Sequence, residues 1–207
     1  MTEIYEIANQ MVAKGKGILA ADESSGTIKK RFDSISVKST ENNRMNYRRI
    51  LFETREAMEN YISGVILFDE TLRQSTENDK RLVDIISEAG SLPGIKVDTG
   101  AKELAMMNGE TVTEGLDGLR ERLNEYSDLG AKFAKWRAVI AISDEIPSTL
   151  CIEANSHALA RYAALCQEAG IVPIIEPEVL MDGSHTIEQC YEAVSYTHLT
   201  LPTKRIV

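Results

Sequence analysis

Residues 133–140 read FAKWRAVI, an apolar run that carries two cations, Lys135 and Arg137, two positions apart. On a strand, residues two apart point to one face, so Lys135 and Arg137 share a side with Phe133 and Val139 while Trp136 points the other way. Four more short apolar runs carry charge in the same manner: GILAAD (17–22), GVILFDE (64–70), GIKVD (94–98) and PIIEPEV (173–179). The two-apart spacing recurs in Lys96 with Asp98 and in Glu176 with Glu178. Ionised groups buried without partners are costly, so charges repeated at the ends of apolar strands predict a shared polar pocket where opposite signs meet.

The segments between these strands have helical periodicity. The pattern predicts helices over 3–14 (Ile4, Ala8, Met11 and Val12 inward), 41–60 (Tyr47, Ile50, Leu51 and Met58) and 79–89 (Leu82, Val83, Ile85 and Ile86). Further helices are expected over 114–129 (Leu116, Leu119, Leu123 and Tyr126) and 147–169 (Leu150, Ala154, Ala158, Leu165 and Cys166), and a last one from near Ser184. Gly90, Gly130 and Gly170 stand where a helix hands over to the next strand, the place of a left-handed C-cap. Strand and helix alternate, which implies a parallel sheet covered by helices. An open doubly wound sheet concentrates its ligand at one switch point, whereas here every strand contributes polar residues near its carboxyl end. The expected fold class is therefore α/β of the (β/α)8 TIM barrel family, truncated to about the first five strands of the eight that such a barrel needs.

The bulk properties fit that fold. A chain of 207 residues with 43% hydrophobic content makes one domain, or two small ones, with ample core. A net charge of −9, with no basic stretch longer than three residues, excludes a nucleic-acid or membrane-surface role, and no run approaches 18 apolar residues. Cys151, Cys166 and Cys190 are odd in number and match no zinc or redox spacing, which fits a reduced, cytoplasmic setting. The amino end, TEIYEIANQMVAKG, has no cleavable apolar segment. His157, His185 and His198 form no ligand spacing; surface or capping roles are expected for the first two, and no metal or cofactor is implied.

The constellations admit more than one chemistry. Lys135 and Arg137 either pair with carboxylates or present an amine and a guanidinium inside a pocket, where burial tunes a lysine for proton transfer. Lys96 repeats the arrangement. Two lysines and an arginine offset by Asp22, Glu176 and Glu178 suit a carbonyl-bearing, phosphorylated substrate. ADESSGT (21–27) offers Ser24, Ser25, Gly26 and Thr27 at a strand-to-helix turn, either as N-cap chemistry or as a phosphate cradle. Asp69 and Glu70 are ambiguous, with Glu70 expected at a solvated strand end, and Tyr126 and Tyr162 read as core.

Taken together, KGILAADES (16–24), GVILFDETL (64–72), GIKVDTG (94–100), NGETVTEGLDGL (108–119), FAKWR (133–137) and VPIIEPEVLMDG (172–183) resemble class I fructose-bisphosphate aldolase. The motifs follow in order from the first helix to about Val194. The resemblance implies reversible aldol cleavage of fructose 1,6-bisphosphate to dihydroxyacetone phosphate and glyceraldehyde 3-phosphate, in glycolysis and gluconeogenesis, through a Schiff base and without metal or cofactor. It implies catalytic roles for Asp22, at the C4 hydroxyl, and for Glu176 with Lys135, around carbinolamine and imine. Ser24, Thr27 and Lys96 would meet the phosphate distal to the imine, and Arg31, Arg137 and Glu178 would be supporting charges. Thr27 stands where many members have serine. The partner implied is a sugar bisphosphate, with no nucleic acid and no membrane, and full-length members are expected as homotetramers.

The family's imine-forming lysine lies in a leucine-leucine-lysine-proline context that these 207 residues do not contain, and Lys204, in THLTLPTKRIV, lacks the surrounding strand pattern. The chain is therefore expected to be inactive. Residues 1–194 read as the amino-terminal part of the barrel, whereas 195–207, SYTHLTLPTKRIV, has no helical period, resembles translated adapter read-through and is expected to be a non-family tail. An exposed edge at PIIEPEV predicts aggregation or partial folding. Two other readings stay open: an imine-forming lyase or isomerase with Lys135 as its nucleophile, and a non-catalytic phosphate-binding or interaction fragment.

Overall fold

Near-continuous apolar strands separated by amphipathic segments must form a sheet whose faces are covered by the crossover helices. The computed structural model, which describes residues 2–200, has this arrangement. In chain order its elements are α1 (Thr2–Met11), β1 (Gly17–Ala21), α2 (Ser25–Ser34), α3 (Glu41–Phe52), α4 (Arg55–Tyr61), β2 (Ile62–Leu67), α5 (Asp69–Arg73) and α6 (Leu82–Glu88). Then come β3 (Leu92–Lys96), β4 (Gly100–Glu103), β5 (Thr111–Glu114), α7 (Leu119–Asp128), β6 (Phe133–Ile140), α8 (Thr149–Glu168), β7 (Val172–Val179) and α9 (Ile187–Thr200).

One sheet has the strand order β1-β2-β3-β6-β7, and β4 with β5 forms a separate antiparallel ribbon. β1 pairs with β2, and β2 with β3, in parallel. The Lys132 N–H donates to the Pro93 carbonyl at 2.8 Å and the Val97 N–H to the Lys135 carbonyl at 3.1 Å, so β6 advances alongside β3. Val172 to Lys132 at 3.0 Å and Leu180 to Ile140 at 2.9 Å show the same for β7 on β6. Each of the five strands overlaps one of the five runs read from the sequence, although β2 and β3 end before the last residues of GVILFDE and GIKVD. Gly90, Gly130 and Gly170 have φ of +76°, +107° and +72°, the left-handed backbone expected at those junctions.

The chain falls into two compact units. The first comprises the residues up to Lys96 with Asn124–Ala134 and Gly170–Val172; the second comprises Val97–Leu123, Lys135–Ala169 and the residues from Pro173. In the first, Val65, Leu67, Ile95 and Phe133 are fully buried. The Phe133 ring occupies the space that side chains at Gly64 and Gly94 would need: a Cβ at Gly94 would come within 2.3 Å of it. α6 buries Leu82, Val83 and Ile86, as its periodicity predicts. α1 differs, because Ile7 and Met11 form its buried face and Val12 is 76% exposed. The helix expected over 41–60 is two helices, α3 and α4, parted where the Thr54 hydroxyl donates back to the Ile50 carbonyl at 2.9 Å. α3 buries Met45, Arg48 and Phe52 and leaves Ile50 exposed.

The second unit is organised around Trp136 and Tyr162, both fully buried, with ring centroids 5.5 Å apart. The Tyr162 hydroxyl donates to the Ile174 carbonyl at 3.2 Å. The β4–β5 ribbon was not legible as strands: 111–114 is β5, and α7 begins only at Leu119, after Gly115 and Gly118 at positive φ. Two threonine hydroxyls tie the ribbon to β6, Thr113 to the Arg137 carbonyl at 2.8 Å and Thr111 to the Val139 carbonyl at 3.0 Å. Leu150, expected in the core, lies half-exposed in the first turn of α8. α9 continues through Ser195 to Thr200, and Thr197 is buried with its hydroxyl 3.0 Å from that of Ser156. The break in helical pattern expected at Ser195 is thus absent from the structure, and 201–207, with Lys204, lie outside the described residues.

Candidate active site

The residues singled out in the sequence fall into two groups, one in each unit. In the first unit, Asp22 follows β1 directly, and Lys96 is the last residue of β3. β1 and β3 are the strands on either side of β2. A serine ahead of a helix caps the free amides of the first turn. Ser24 does so for α2: its Oγ accepts from the Thr27 N–H at 3.3 Å and lies 3.1 Å from the Thr27 hydroxyl. Both side chains are exposed, so this turn presents two hydroxyls at a helix N-terminus.

Arg31, on the last turn of α2, pairs with the Glu23 carboxylate and donates to the Tyr47 hydroxyl at 3.4 Å. The hydrogen bond to Tyr47 and the charge of Glu23 raise its already high pKa. Glu70 is not the solvated strand end expected from the sequence. It lies in the first turn of the short helix α5, and Arg44 donates to both of its carboxylate oxygens, at 2.8 and 2.5 Å. Asp69, beside it, is more exposed and pairs with Arg73 at 3.1 Å.

In the second unit the alternation of β6 and β7 sets two cations against two carboxylates. Along β6, Ala134, Trp136, Ala138 and Ile140 are buried, and Lys135, Arg137 and Val139 lie on the partly open face. On β7, Glu176 and Glu178 have the same two-residue spacing. Lys135 Nζ is 3.4 Å from Glu176 Oε1, and Arg137 pairs with Glu178. Both cations therefore pair with carboxylates, and the Lys135 pair is the more buried of the two, with side chains 12% and 32% exposed.

Burial raises the pKa of the Glu176 carboxyl, and the neighbouring Lys135 only partly offsets it. A carboxyl with raised proton affinity beside an amine is a pair that can pass protons to and from a bound molecule. The strand carrying it is braced by residues that the sequence reading did not single out as supports. Asp98 was expected to share a strand face with Lys96, but β3 ends at Lys96. Asp98 instead accepts from the Gly100 N–H at 3.1 Å and from the Arg137 N–H at 3.4 Å. Asn155 of α8, almost fully buried, accepts from the Thr113 N–H at 3.1 Å and donates to the Thr111 carbonyl at 2.9 Å. A polar Asn155 and Ser156 within the buried face of α8 was the available signal.

Among the described residues, no cluster of three or more histidine, cysteine, aspartate or glutamate side chains could hold a metal ion. None of their helices is long and apolar enough to cross a membrane. Cys151, Cys166, Tyr126 and Tyr162 are buried, as their helical positions predict.

Comparison with known proteins agrees with the motifs. The family model for fructose-bisphosphate aldolase class-I matches residues 3–202. A probable fructose-bisphosphate aldolase class 1 of Xanthomonas axonopodis is 60% identical over 94% of this chain and 58% of its own length. The cytosolic fructose-bisphosphate aldolase 4 of Arabidopsis thaliana is 56% identical over 96% of this chain and 53% of its own. A co-crystal structure of fructose-bisphosphate aldolase from Plasmodium falciparum, with TRAP and a small-molecule inhibitor, superposes with a TM-score of 0.89 at 46% identity, over 95% of this chain and 57% of that one. The chain thus spans a little over half the length of the relatives it matches, and its parallel strands are those of a truncated (β/α)8 TIM barrel. It belongs to the class I fructose-bisphosphate aldolase family.

Proposed function

We propose that the chain carries the proton-transfer and distal-phosphate residues of a fructose-bisphosphate aldolase, the enzyme that reversibly cleaves fructose 1,6-bisphosphate to dihydroxyacetone phosphate and glyceraldehyde 3-phosphate. The observation that carries this reading is the Lys135–Glu176 pair, 3.4 Å apart, in which burial raises the proton affinity of the carboxyl. Family membership supports the same assignment. Glu176 and Lys135 exchange protons with the substrate around carbinolamine and imine, and Asp22 acts at the C4 hydroxyl. Ser24, Thr27 and Lys96 bind the phosphate distal to the imine, the two hydroxyls offering short donors beside free helix amides. Arg31, Arg137 and Glu178 set the charge balance around these groups.

The imine itself requires a lysine in a leucine-leucine-lysine-proline setting, which the 207 residues lack. Without its nucleophile a covalent mechanism loses several orders of magnitude in rate. The chain by itself therefore binds the sugar bisphosphate and does not turn it over. In the full-length enzyme the same residues work within a cytoplasmic homotetramer.

The test is a paired measurement on the purified chain. Fructose 1,6-bisphosphate is titrated against the backbone amide signals of Ser24–Thr27, and triose phosphate release is followed in the same samples. Saturable shifts with no release above the protein-free blank are expected. Absence of shifts, or sustained turnover, contradicts the reading.

A further inference from the structure

Arg48 is the one fully buried arginine among the described residues, and none of the roles above uses it. It projects from α3, whose other inward residues, Met45 and Phe52, are apolar. Its Nη2 donates to the main-chain carbonyl of Glu23 at 2.7 Å, and its Nη1 lies 3.6 Å from the Glu70 carboxylate. The guanidinium also sits 5.9 Å from the centre of the Phe68 ring. Nε and Nη1 make no hydrogen bond. Burying a guanidinium so incompletely satisfied is costly, and an apolar residue would fill the same space with less penalty.

What the arginine does is join two turns. Glu23 lies between Asp22 and Ser24 in the turn from β1 to α2, while Phe68 and Glu70 begin the segment after β2. Glu70 is itself fixed by Arg44, which holds both of its oxygens, and the Glu23 side chain is held by Arg31. Arg48 is thus the member that grips the main chain of the β1–α2 turn. We propose that Arg48 is a positioning residue: by bridging the Glu23 carbonyl and the Glu70 carboxylate it fixes the turn that presents Asp22, Ser24 and Thr27. The inference rests on the substrate-binding role proposed above for those three residues.

The test uses the whole chain with Arg48→Lys and Arg48→Met. Lysine keeps the charge but places it on a single nitrogen and loses the planar fork whose two Nη atoms face the two acceptors; methionine can meet neither. Amide hydrogen exchange, measured without ligand, reads the hold on the turn directly. Protection of the Thr27 and Ile28 amides, which bond to the Ser24 hydroxyl and carbonyl, should fall about threefold in Arg48→Lys and about tenfold or more in Arg48→Met, the scale of a lost charge-assisted bond. Amides of β2 and β3 should stay within about twofold of the parent, since their ladders are untouched. The dissociation constant for fructose 1,6-bisphosphate, read from the Ser24–Thr27 amides, should rise in the same order. If Arg48→Met does not fold, the local loss in Arg48→Lys decides. Unchanged protection at the turn, or equal loss in turn and strands, overturns the proposal. Failure of the parent chain to bind the sugar bisphosphate instead defeats the functional reading, and the ligand-free exchange pattern still reports on Arg48.

Discussion

Lys135 on β6 and Glu176 on β7 face each other at 3.4 Å because the two strands run parallel and each places its charges two residues apart. The carboxylate pays for its burial with a raised pKa despite the neighbouring ammonium. That balance makes the pair measurable without substrate.

Because the folded protein holds the Glu176 proton more tightly than the unfolded chain, the stability from protonation is full below the ordinary glutamate value of 4.5. It is lost as pH rises through the raised folded value. Glu176→Gln cannot ionise and keeps the neutral state at every pH. Thermal unfolding midpoints of parent and variant should therefore agree near pH 4 and diverge above it, with the variant higher. A parent more stable than Glu176→Gln at neutral pH would show that the ion pair outweighs the burial cost.

The Phe133 ring lies where a side chain at Gly94 would have to go, at 2.3 Å from an ideal Cβ. Gly94→Ala should destabilise the first unit by about 1–3 kcal/mol through overpacking. Phe133→Leu in the same chain should recover part of that loss, because it vacates the contested volume. Denaturant unfolding of the four chains of a double-mutant cycle checks this, and strict additivity would place the strain elsewhere.

Asn155 joins α8 to the β5 strand that holds the Arg137 carbonyl through Thr113. Asn155→Ala leaves the Thr113 N–H and Thr111 carbonyl buried without this partner and should cost about 1–3 kcal/mol. The accompanying sign is faster exchange at the Thr113 amide than at β2 amides. An Asn155→Ala chain with parental stability would mean that the ribbon is held by its own ladder alone.

The strands were legible because their apolar runs are short, are bounded by glycine and carry charge at an unusual spacing; FAKWRAVI alone gives the alternation of a buried and a partly open face. The β4–β5 ribbon was not, because GAKE and TVTE are short and polar, and the hydroxyl contacts that tie β5 to β6 leave no local period in the sequence. The inward faces of α1 and α3 were misplaced by about one residue in the repeat, since Ile7 and Arg48, not Val12 and Ile50, meet the core. A buried arginine cannot be inferred from periodicity, because the pattern scores it as a solvent residue. Among the candidate site residues, the shared face of Lys135 with Arg137 and of Glu176 with Glu178 follows from residue spacing, whereas which cation meets which carboxylate, and the supports at Asp98, Thr113 and Asn155, depend on long-range contacts.

The central claim is that this chain holds proton-transfer and phosphate-binding residues without the lysine that forms the imine. Incubating the purified chain with dihydroxyacetone phosphate, reducing with borohydride and mapping peptides by mass spectrometry tests it most directly. The account predicts no reduced adduct on any lysine above the level of a denatured control. A stable, saturable adduct on Lys135 or Lys96 would contradict it and make that lysine the nucleophile.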